Sequence, residues 1–130
     1  MGKKVILCVD DERIVLQSLR DQLVRNFKER YTYEFAESPE EALEVLEELV
    51  EDDTEILIVV SDWLMPTMRG DDFLVKVHEK FPKIVKIMLT GQADESAVER
   101  AKQYANLHSC IAKPWSETTL IETIGSGLGE

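Results

Sequence analysis

Apolar residues in this chain are concentrated in five short runs, each followed by polar residues or a turn. The third run, Ile56–Val60, is unbroken and rich in β-branched side chains, and it leads into Ser61 and Asp62. A run of this length with Pro66 shortly after it is typical of a strand buried on both faces of a parallel sheet. The runs predicted as strands are 4–9, 31–36, 56–61, 84–89 and 107–112.

Helical periodicity occupies the segments between the runs, because apolar residues recur there at intervals of three and four. The first helix carries an apolar face up to Phe27, and the acids at 10–12 are placed to cap its N-terminus. Ser38, Pro39 and Glu41 have the spacing of a capping box that begins the second helix. Later helices are predicted from about 71 to 81, from 94 or 95 to about 104, and after 116–119, with Gly125, Gly127 and Gly129 fraying the last one.

Five predicted strands alternate strictly with five predicted helices. This alternation predicts an α/β protein, in which a parallel sheet carries helices on both faces. In a doubly wound sheet with strand order 2-1-3-4-5, strand two lies at an edge and strand one lies beside strand three. We expect residues 1–130 to form one domain, and the Gly-rich end fits either the natural terminus or the edge of a larger protein.

Composition and charge narrow the class of protein. Apolar residues make up 44% of the chain and charged residues 32%, as in ordinary globular proteins. The net charge of -11 argues against non-specific binding to nucleic acid or to an anionic membrane. No apolar run approaches the roughly 20 residues of a membrane-spanning helix, and the N-terminus lacks a secretory signal, so we predict a cytoplasmic location. Cys8 and Cys110 are interpreted as small core residues rather than a disulfide.

Polar side chains stand where four of the five predicted strands end. They are Asp10 and Asp11 after strand one, Asp62 after strand three, Thr90 after strand four and Lys113 after strand five. Because strands one and three are neighbours, three carboxylates should gather at one rim of the sheet. They would repel one another without a cation, and hard oxygen ligands suit Mg²⁺. The ammonium and hydroxyl across the rim suit the oxygens of a phosphoryl group.

Each of these residues also has an ordinary structural explanation. Asp10 and Asp11 could be helix caps only, Asp62 and Thr90 could be turn residues, and Lys113 could be a solvated strand-end lysine. The explanations are independent of one another, whereas a single site requires all of these residues at the carboxyl ends of strands in one topology. Their coincidence favours the functional interpretation.

Four motifs spread over nearly the whole chain share a pattern. They are Val9-Asp10-Asp11, Ser61-Asp62-Trp63-Leu64-Met65-Pro66 with Gly70, Leu89-Thr90-Gly91, and Ala112-Lys113-Pro114. Together they resemble the receiver domain of two-component response regulators. The resemblance implies the flavodoxin-like fold of the single-domain chemotaxis regulator, and a cis peptide bond between Lys113 and Pro114.

The resemblance also implies a role for each acid at the rim. Asp62 would accept a phosphoryl group from a phosphohistidine on a sensor histidine kinase or phosphotransfer protein. Asp11 and Asp62 would bind Mg²⁺ directly, together with the backbone carbonyl of Leu64. Asp10 would act through a water or an outer contact. Such a protein promotes its own phosphorylation and dephosphorylation, but it is not an enzyme in the usual sense.

In the same mechanism, Lys113 would pair with the phosphate and Thr90 would move toward the new oxygens. That movement would reshape the surface formed by helix four, strand five and helix five, which an output domain or protein would read. This face often also serves homodimerisation in receiver domains. We expect no direct contact with nucleic acid or membrane.

The chain departs from the family at one position of the expected switch. Cys110 stands three residues before the lysine, where the family usually has an aromatic residue, so we hypothesise weaker or different output coupling. Leu64 and Gln92 occupy the two positions that tune access of hydrolytic water. Trp63 and Trp115 are interpreted as packing residues, or, for Trp115, as the mark of a partner surface.

Three other classes of protein are alternatives for this sequence. A flavin-binding protein of this fold would need a phosphate cradle after strand one, where residues 10–12 are acidic. A Mg²⁺-dependent phosphohydrolase with an aspartyl nucleophile would want an acid two residues after Asp62, where Leu64 stands. A receiver-fold scaffold or interaction module that does not turn over phosphate would not need the complete set of acid, threonine and lysine.

Overall fold

A computed structural model describes residues 3–91 and 95–130 of the chain. The described residues form five strands and five α-helices in alternation, with a short 3₁₀ turn at Lys28–Arg30. The strands are β1 (Lys4–Val9), β2 (Thr32–Ala36), β3 (Glu55–Asp62), β4 (Val85–Thr90) and β5 (Ser109–Ala112). The helices are α1 (Arg13–Phe27), α2 (Pro39–Glu51), α3 (Gly70–Lys80), α4 (Glu95–Ala105) and α5 (Glu117–Leu128).

The five strands form one parallel sheet in the order β2-β1-β3-β4-β5, which confirms the predicted flavodoxin-like topology. The register brings the carboxyl ends of the strands level with one another. Val9 pairs with Ser61 across β1 and β3, so the residues that follow these two are neighbours. Thr90 pairs with Ala112 across β4 and β5, which places Lys113 directly beyond the end of β4.

Helices cover the sheet on both faces, and each face has its own apolar core. On one face, α1 and α5 pack on the sheet through side chains such as Leu19, Leu23 and Ile124. On the other face, α2, α3 and α4 pack through side chains such as Leu46 and Phe73. No helix in the described part of the chain is long and apolar enough to cross a bilayer.

Two helix starts follow the capping chemistry of the sequence. Ser38 Oγ accepts a hydrogen bond from the backbone N–H of Glu41 at 3.1 Å, and Ser116 Oγ accepts one from Thr119 at 3.1 Å. The Glu41 carboxylate accepts from the backbone N–H of Glu37, one residue before the expected partner, at 2.6 Å. These contacts satisfy backbone donors that a helix N-terminus leaves without an intrahelical partner.

The prediction that glycines fray the last helix is wrong, because α5 continues through Gly125 and Gly127 to Leu128. Gly127 allows the helix to approach the sheet closely, since an added Cβ would lie 3.0 Å from Ile58 Cδ1. Gly129 has a φ of 80° and ends the helix in the left-handed conformation that glycine adopts readily. Packing against the sheet therefore outweighs the low helix propensity of glycine here.

The interpretation of both cysteines as core residues holds for only one of them. Cys8 lies on β1, which is covered on both sides, and is fully buried. Cys110 is exposed on β5, which is the edge strand of the sheet. Neither cysteine forms a disulfide.

Candidate functional site

Asp62 is the last residue of β3 and lies at the carboxyl edge of the sheet. Its side chain is almost completely buried, with 6% of the residue exposed. The backbone N–H of Trp63 donates to Asp62 Oδ1 at 3.0 Å and to the backbone carbonyl of Leu89 at 3.1 Å. The end of β3 therefore holds this carboxylate in one place while it remains part of the sheet.

Two further acids lie beside Asp62. One carboxylate oxygen from each of Asp10, Asp11 and Asp62 lies within 4.8 Å of the others. Asp10 is fully buried and Asp11 is exposed. Asp10 Oδ1 also accepts from the backbone N–H of Glu12 at 2.8 Å, but Glu12 is itself the N-cap residue of α1 and makes no side-chain cap hydrogen bond, so the prediction that these acids cap the helix is wrong.

Lys113 reaches back over the acids from the end of β5. Its Nζ lies 2.9 Å from Asp10 Oδ2 and 3.2 Å from Asp62 Oδ1. The lysine is aimed by the main chain, since its backbone N–H donates to the carbonyl of Thr90 at 2.5 Å and the peptide bond to Pro114 is cis, as the resemblance implied.

The negative charges of Asp10 and Asp62 are buried, and the positive charge of Lys113 compensates them only in part. Burial raises the pKa of the Asp62 carboxyl, the neighbouring Asp10 raises it further, and Lys113 offsets only part of the effect. Burial alone would lower the pKa of Lys113, but its hydrogen bond to Asp10 and the charges of Asp10 and Asp62 outweigh burial and raise it. The cluster therefore favours additional positive charge.

Thr90 is the last residue of β4 and is buried, with 7% exposed. Its Oγ1 lies 3.5 Å from the carbonyl oxygen of Ile111, at the limit of a hydrogen bond. A contact of that length is weak, so little free energy holds the hydroxyl in this position.

An open hollow of about 570 Å³ lies above the acids. Leu64 lies in the wall of this hollow, together with Asp11 and Asp62, and is 58% exposed. The role of its backbone carbonyl as a Mg²⁺ ligand stays a prediction. Gln92, the second predicted water-tuning residue, lies outside the described residues. The hollow is lined by Asp11, Glu12, Asp62, Trp63, Leu64, Met65, Pro66, Gly91 and Lys113.

The two tryptophans beside the site have packing roles. Trp115 is half-buried against the core under α1 and α5, and its Nε1–H donates to Gln22 Oε1 at 2.9 Å. Trp63 packs against the opposite core. These contacts support the interpretation of both rings as packing residues, and a partner surface at Trp115 stays a prediction.

Sequence reasoning missed an ionic group next to the site. Asp71, in the first turn of α3, is fully buried. It accepts from Arg69 Nε at 3.0 Å and Nη2 at 2.7 Å, and Arg100 Nη1 of α4 lies 3.3 Å away. Burial alone would raise the pKa of Asp71, but the hydrogen bonds and charges of Arg69, with the Arg100 hydrogen bond, lower it. Nothing in the local pattern of 69–72 separates these acids from ordinary first-turn acids.

Sequence reasoning also missed a buried lysine under α3. Lys86 is 1% exposed, and its Nζ lies 2.7 Å from His78 Nδ1 and 3.2 Å from the carbonyl oxygen of Pro82. Burial lowers the pKa of Lys86 to about 8. The signal was present in the sequence, because Lys86 interrupts an otherwise apolar strand.

Comparison with known proteins agrees with this arrangement. The sequence profile of the response regulator receiver domain matches residues 6–125. The chain belongs to this family. The receiver domain is 32% identical over 127 residues to the chemotaxis protein CheY1 of Helicobacter pylori, a match that covers 95% of this chain and 96% of CheY1.

Two other relatives show the range of proteins that this receiver domain resembles. It is 29% identical over 119 residues to the hydrogenase transcriptional regulatory protein HoxA of Cupriavidus necator, over 92% of this chain but only 23% of HoxA. The structure of a CheY-like response regulator receiver domain protein from Methanospirillum hungatei superposes with a TM-score of 0.85 at 30% identity, covering 98% of this chain and 95% of that one. The chain thus spans nearly all of some relatives and less than a quarter of others.

Membership defines the general role. Receiver domains are switches of two-component signalling rather than conventional enzymes, and they work with histidine kinases and output domains. They typically bind Mg²⁺, and the acids at 10, 11 and 62 form a cluster that can hold a metal ion.

Proposed function

We propose that Asp62 accepts a phosphoryl group and that this receiver domain signals through the resulting change of state. The observation that carries the proposal is the convergence of Asp10, Asp11 and Lys113 on the buried Asp62 carboxylate at the floor of an open hollow. A nucleophile, a set of oxygen ligands and a cation for phosphate oxygens are then present in one place.

In the transfer step, one Asp62 carboxylate oxygen attacks the phosphorus of a phosphohistidine. The new O–P bond forms as the P–N bond breaks, and the electron pair of that bond stays on the imidazole nitrogen, which takes a proton from solvent. Asp62 becomes an acyl phosphate. Hydrolysis later adds water across the O–P bond and returns the carboxylate with inorganic phosphate.

The acids fit a Mg²⁺ ion, because their oxygens converge within 4.8 Å and oxygen is the ligand that Mg²⁺ prefers. Asp11 and Asp62, with the Leu64 backbone carbonyl, would hold the ion, and Asp10 would act through a water or an outer contact. When bound, Mg²⁺ supplies positive charge that offsets the repulsion among the acids and stabilises charge on the transferring group. The buried Asp10 meanwhile holds Lys113 in place through the 2.9 Å contact.

Lys113 and Thr90 would bind the transferred group. Lys113 already contacts Asp62 at 3.2 Å, so its ammonium is placed for an oxygen of the phosphoryl group on that carboxylate. The Thr90 hydroxyl would exchange its 3.5 Å contact with Ile111 for a phosphoryl oxygen at little cost. Both side chains would therefore report the phosphorylated state to the ends of β4 and β5.

The partners follow from the same step. The phosphodonor would be a sensor histidine kinase or a phosphotransfer protein, and the face made by α4, β5 and α5 would contact an output domain or protein, or a second copy of the chain. A cytoplasmic location would give access to kinases that use cytoplasmic ATP.

Intact-mass measurement after incubation with Mg²⁺ and acetyl phosphate tests the proposal. Wild-type protein should gain the mass of one phosphoryl group, whereas Asp62→Asn should gain none and Asp53→Asn, an exposed acid remote in the fold, should behave as wild type. Chelation with EDTA should prevent the gain. A wild-type protein that never gains mass, from acetyl phosphate or from a phosphorylated kinase domain, would make the chain a receiver-fold scaffold instead.

A further inference from the structure

The N-terminus of α3 contacts the backbone of Asp62. The backbone N–H of Gly70, the first residue of α3, donates to the carbonyl of Trp63 at 2.7 Å. A Cβ added to Gly70 would lie only 2.0 Å from the carbonyl oxygen of Asp62. The N-terminus of α3 therefore lies in direct contact with the strand end that carries the phosphoacceptor, and it cannot shift without the Asp62 backbone.

The side chain of Asp71, the residue after Gly70, connects α3 to α4. Asp71 is fully buried and accepts hydrogen bonds from Arg69 on its own segment and from Arg100 on α4. Arg100 Nη1 also contacts Asp72 Oδ1 of the same helix turn. Two acids and two arginines thus form a charge-balanced group that joins the N-terminus of α3 to the middle of α4.

The apolar contacts of α4 are made mostly by small side chains. Its buried positions are all alanines, at 97, 101 and 105. An alanine methyl group buries little apolar area compared with the leucine and phenylalanine side chains that hold α1 and α3. Val98 is partly buried against the same core, and the ion pairs of Arg100 add a polar connection between α4 and the N-terminus of α3.

Cys110 occupies the position at which receiver domains usually have an aromatic switch residue. Cys110 on β5 is exposed and pairs with Met88 in the sheet register. A thiol offers no ring that could move between buried and exposed positions. The rotation of an aromatic side chain therefore cannot carry a conformational change through residue 110, whereas α3 is connected to Asp62 and to α4 by direct contacts.

We propose that Arg100, through its contacts with Asp71 and Asp72, transmits the state of Asp62 to α4. The inference rests on the proposed phosphorylation of Asp62. Phosphorylation adds negative charge to the strand end against which Gly70 packs. The N-terminus of α3 adjusts to it, and the Asp71–Arg100 contact carries that adjustment to α4. Arg100 is a positioning residue in this scheme and takes no part in the chemistry.

Amide chemical shifts of residues 95–105 test the inference, recorded with and without beryllofluoride and Mg²⁺ as a phosphoryl analogue. In Arg100→Gln, the shift changes in α4 on addition of the analogue should be smaller than in wild type by about twofold or more. Lys102→Gln is the matched control, since it removes a cation of the same helix whose partner is the exposed Glu99, and its response should equal that of wild type. Cys110→Ala should also leave the response unchanged.

The double variant separates a shared contact from two separate effects. If Arg100 and Asp71 act through each other, then Arg100→Gln combined with Asp71→Asn should reduce the α4 response no more than the larger single effect. Arg100 is partly exposed, with 42% of its side chain accessible, so Arg100→Gln leaves no buried void even if Asp71→Asn proves unstable.

Phosphorylation itself is measured in the same samples. Mass gain from acetyl phosphate should be unchanged in Arg100→Gln. An α4 response of wild-type size in a phosphorylated Arg100→Gln protein would overturn the transmission route, and so would loss of the response in Cys110→Ala. Absence of any mass gain in the wild-type protein would instead refute the phosphorylation of Asp62.

Discussion

Gly70 packs against the main chain of Asp62 so closely that a methyl group at residue 70 would lie 2.0 Å from the Asp62 carbonyl oxygen. The added Cβ would also lie 2.6 Å from Trp63 Cα. These are backbone atoms, so no side-chain rotation can relieve the contact. The identity of residue 70 therefore bears on both the fold and the position of Asp62.

We expect Gly70→Ala to lower the free energy of unfolding by about 1–3 kcal/mol, the usual cost of forcing extra atoms into a packed interior. Gly125→Ala is the matched control, because an added Cβ there meets nothing within 4 Å. That variant should raise stability by about 0.5–1 kcal/mol, since alanine is the better helix former. Urea denaturation of the three proteins measures both effects, and equal behaviour of the two variants would contradict the packing argument.

Because of the acid cluster, the stability of the fold should change when Asp62 is substituted and when Mg²⁺ is added. The carboxylate at 62 is buried beside Asp10, and its raised pKa means that the charged form is disfavoured in the folded protein. Without Mg²⁺, Asp62→Asn should therefore be more stable than wild type at neutral pH, by about 1 kcal/mol. Because a ligand stabilises the state that binds it, Mg²⁺ should stabilise wild type and have less effect on the variant.

Thermal denaturation with and without Mg²⁺ measures this difference. Asp53→Asn serves as the control, because Asp53 is exposed and has a φ of 59° that asparagine tolerates well. A variant at 62 that is destabilised in the absence of Mg²⁺ would show that Lys113 compensates the cluster fully.

Lys113 places a positive charge beside the proposed Mg²⁺ site, because its Nζ lies 2.9 Å from Asp10 Oδ2 and 3.2 Å from Asp62 Oδ1. Removing the ammonium should strengthen Mg²⁺ binding, by about tenfold given the size of charge repulsion at short range. Lys113→Met should at the same time slow phosphorylation, since the phosphoryl oxygens lose their cation. Calorimetric titration and intact-mass time courses measure the two effects.

The opposite directions of these effects distinguish a competing cation from a structural residue. Lys102→Met, which removes a cation paired with Glu99, should change neither quantity. Weaker Mg²⁺ binding in Lys113→Met would mean that the lysine supports the geometry of the acids more than it competes for them.

Lys86 should make stability depend on pH in the alkaline range. Its pKa is about 8 in the folded protein and 10.5 in the unfolded chain, so between these values the unfolded chain binds more protons. Stability contributed by this residue therefore rises with pH from about 8 to 10.5. Below that range the buried ammonium is a penalty of about 3 kcal/mol.

We expect Lys86→Met to raise the free energy of unfolding by about 2 kcal/mol at pH 7, because it replaces a buried charge by an apolar side chain of similar length. The advantage over wild type should shrink as the pH approaches 10.5. Lys83→Met, at an exposed lysine of the loop before β4, should change stability by less than about 0.5 kcal/mol. A difference in stability between Lys86→Met and wild type that does not change with pH would mean that Lys86 has the same pKa in the folded and the unfolded protein, and would contradict this prediction.

Much of the fold was predictable from local pattern. The apolar runs and the helical periodicity located all five strands and five helices, with boundaries that differ by two residues or fewer at most ends. Alternation then predicted the parallel sheet, because a strand followed by a helix returns to the same sheet in one hand only. The shorter β5 was not predictable, since Leu107 donates its backbone N–H to Ala101 of α4 instead of joining the sheet.

Most of the candidate site was predictable for a related reason. In a parallel sheet, the residues after each strand meet at one edge whatever lies between them, so Asp10, Asp11, Asp62 and Lys113 were assembled from their positions alone. In the structure, the side chains of these four residues lie close to one another. Thr90 reaches the same edge, but the direction of its hydroxyl toward Ile111 depends on side-chain rotation that the sequence does not encode.

The amino-acid sequence by itself determined the elements, their order in the sheet and the chemistry that gathers at its edge, because these follow from periodicity and from a topology with few alternatives. Only the tertiary structure decided which charged residues are buried and with whom. Asp71 with Arg100, and Lys86 with His78, lie far apart in sequence or on separate elements. Such pairs depend on how helices are placed on the sheet, and helix placement is set by packing over the whole core rather than by any local pattern.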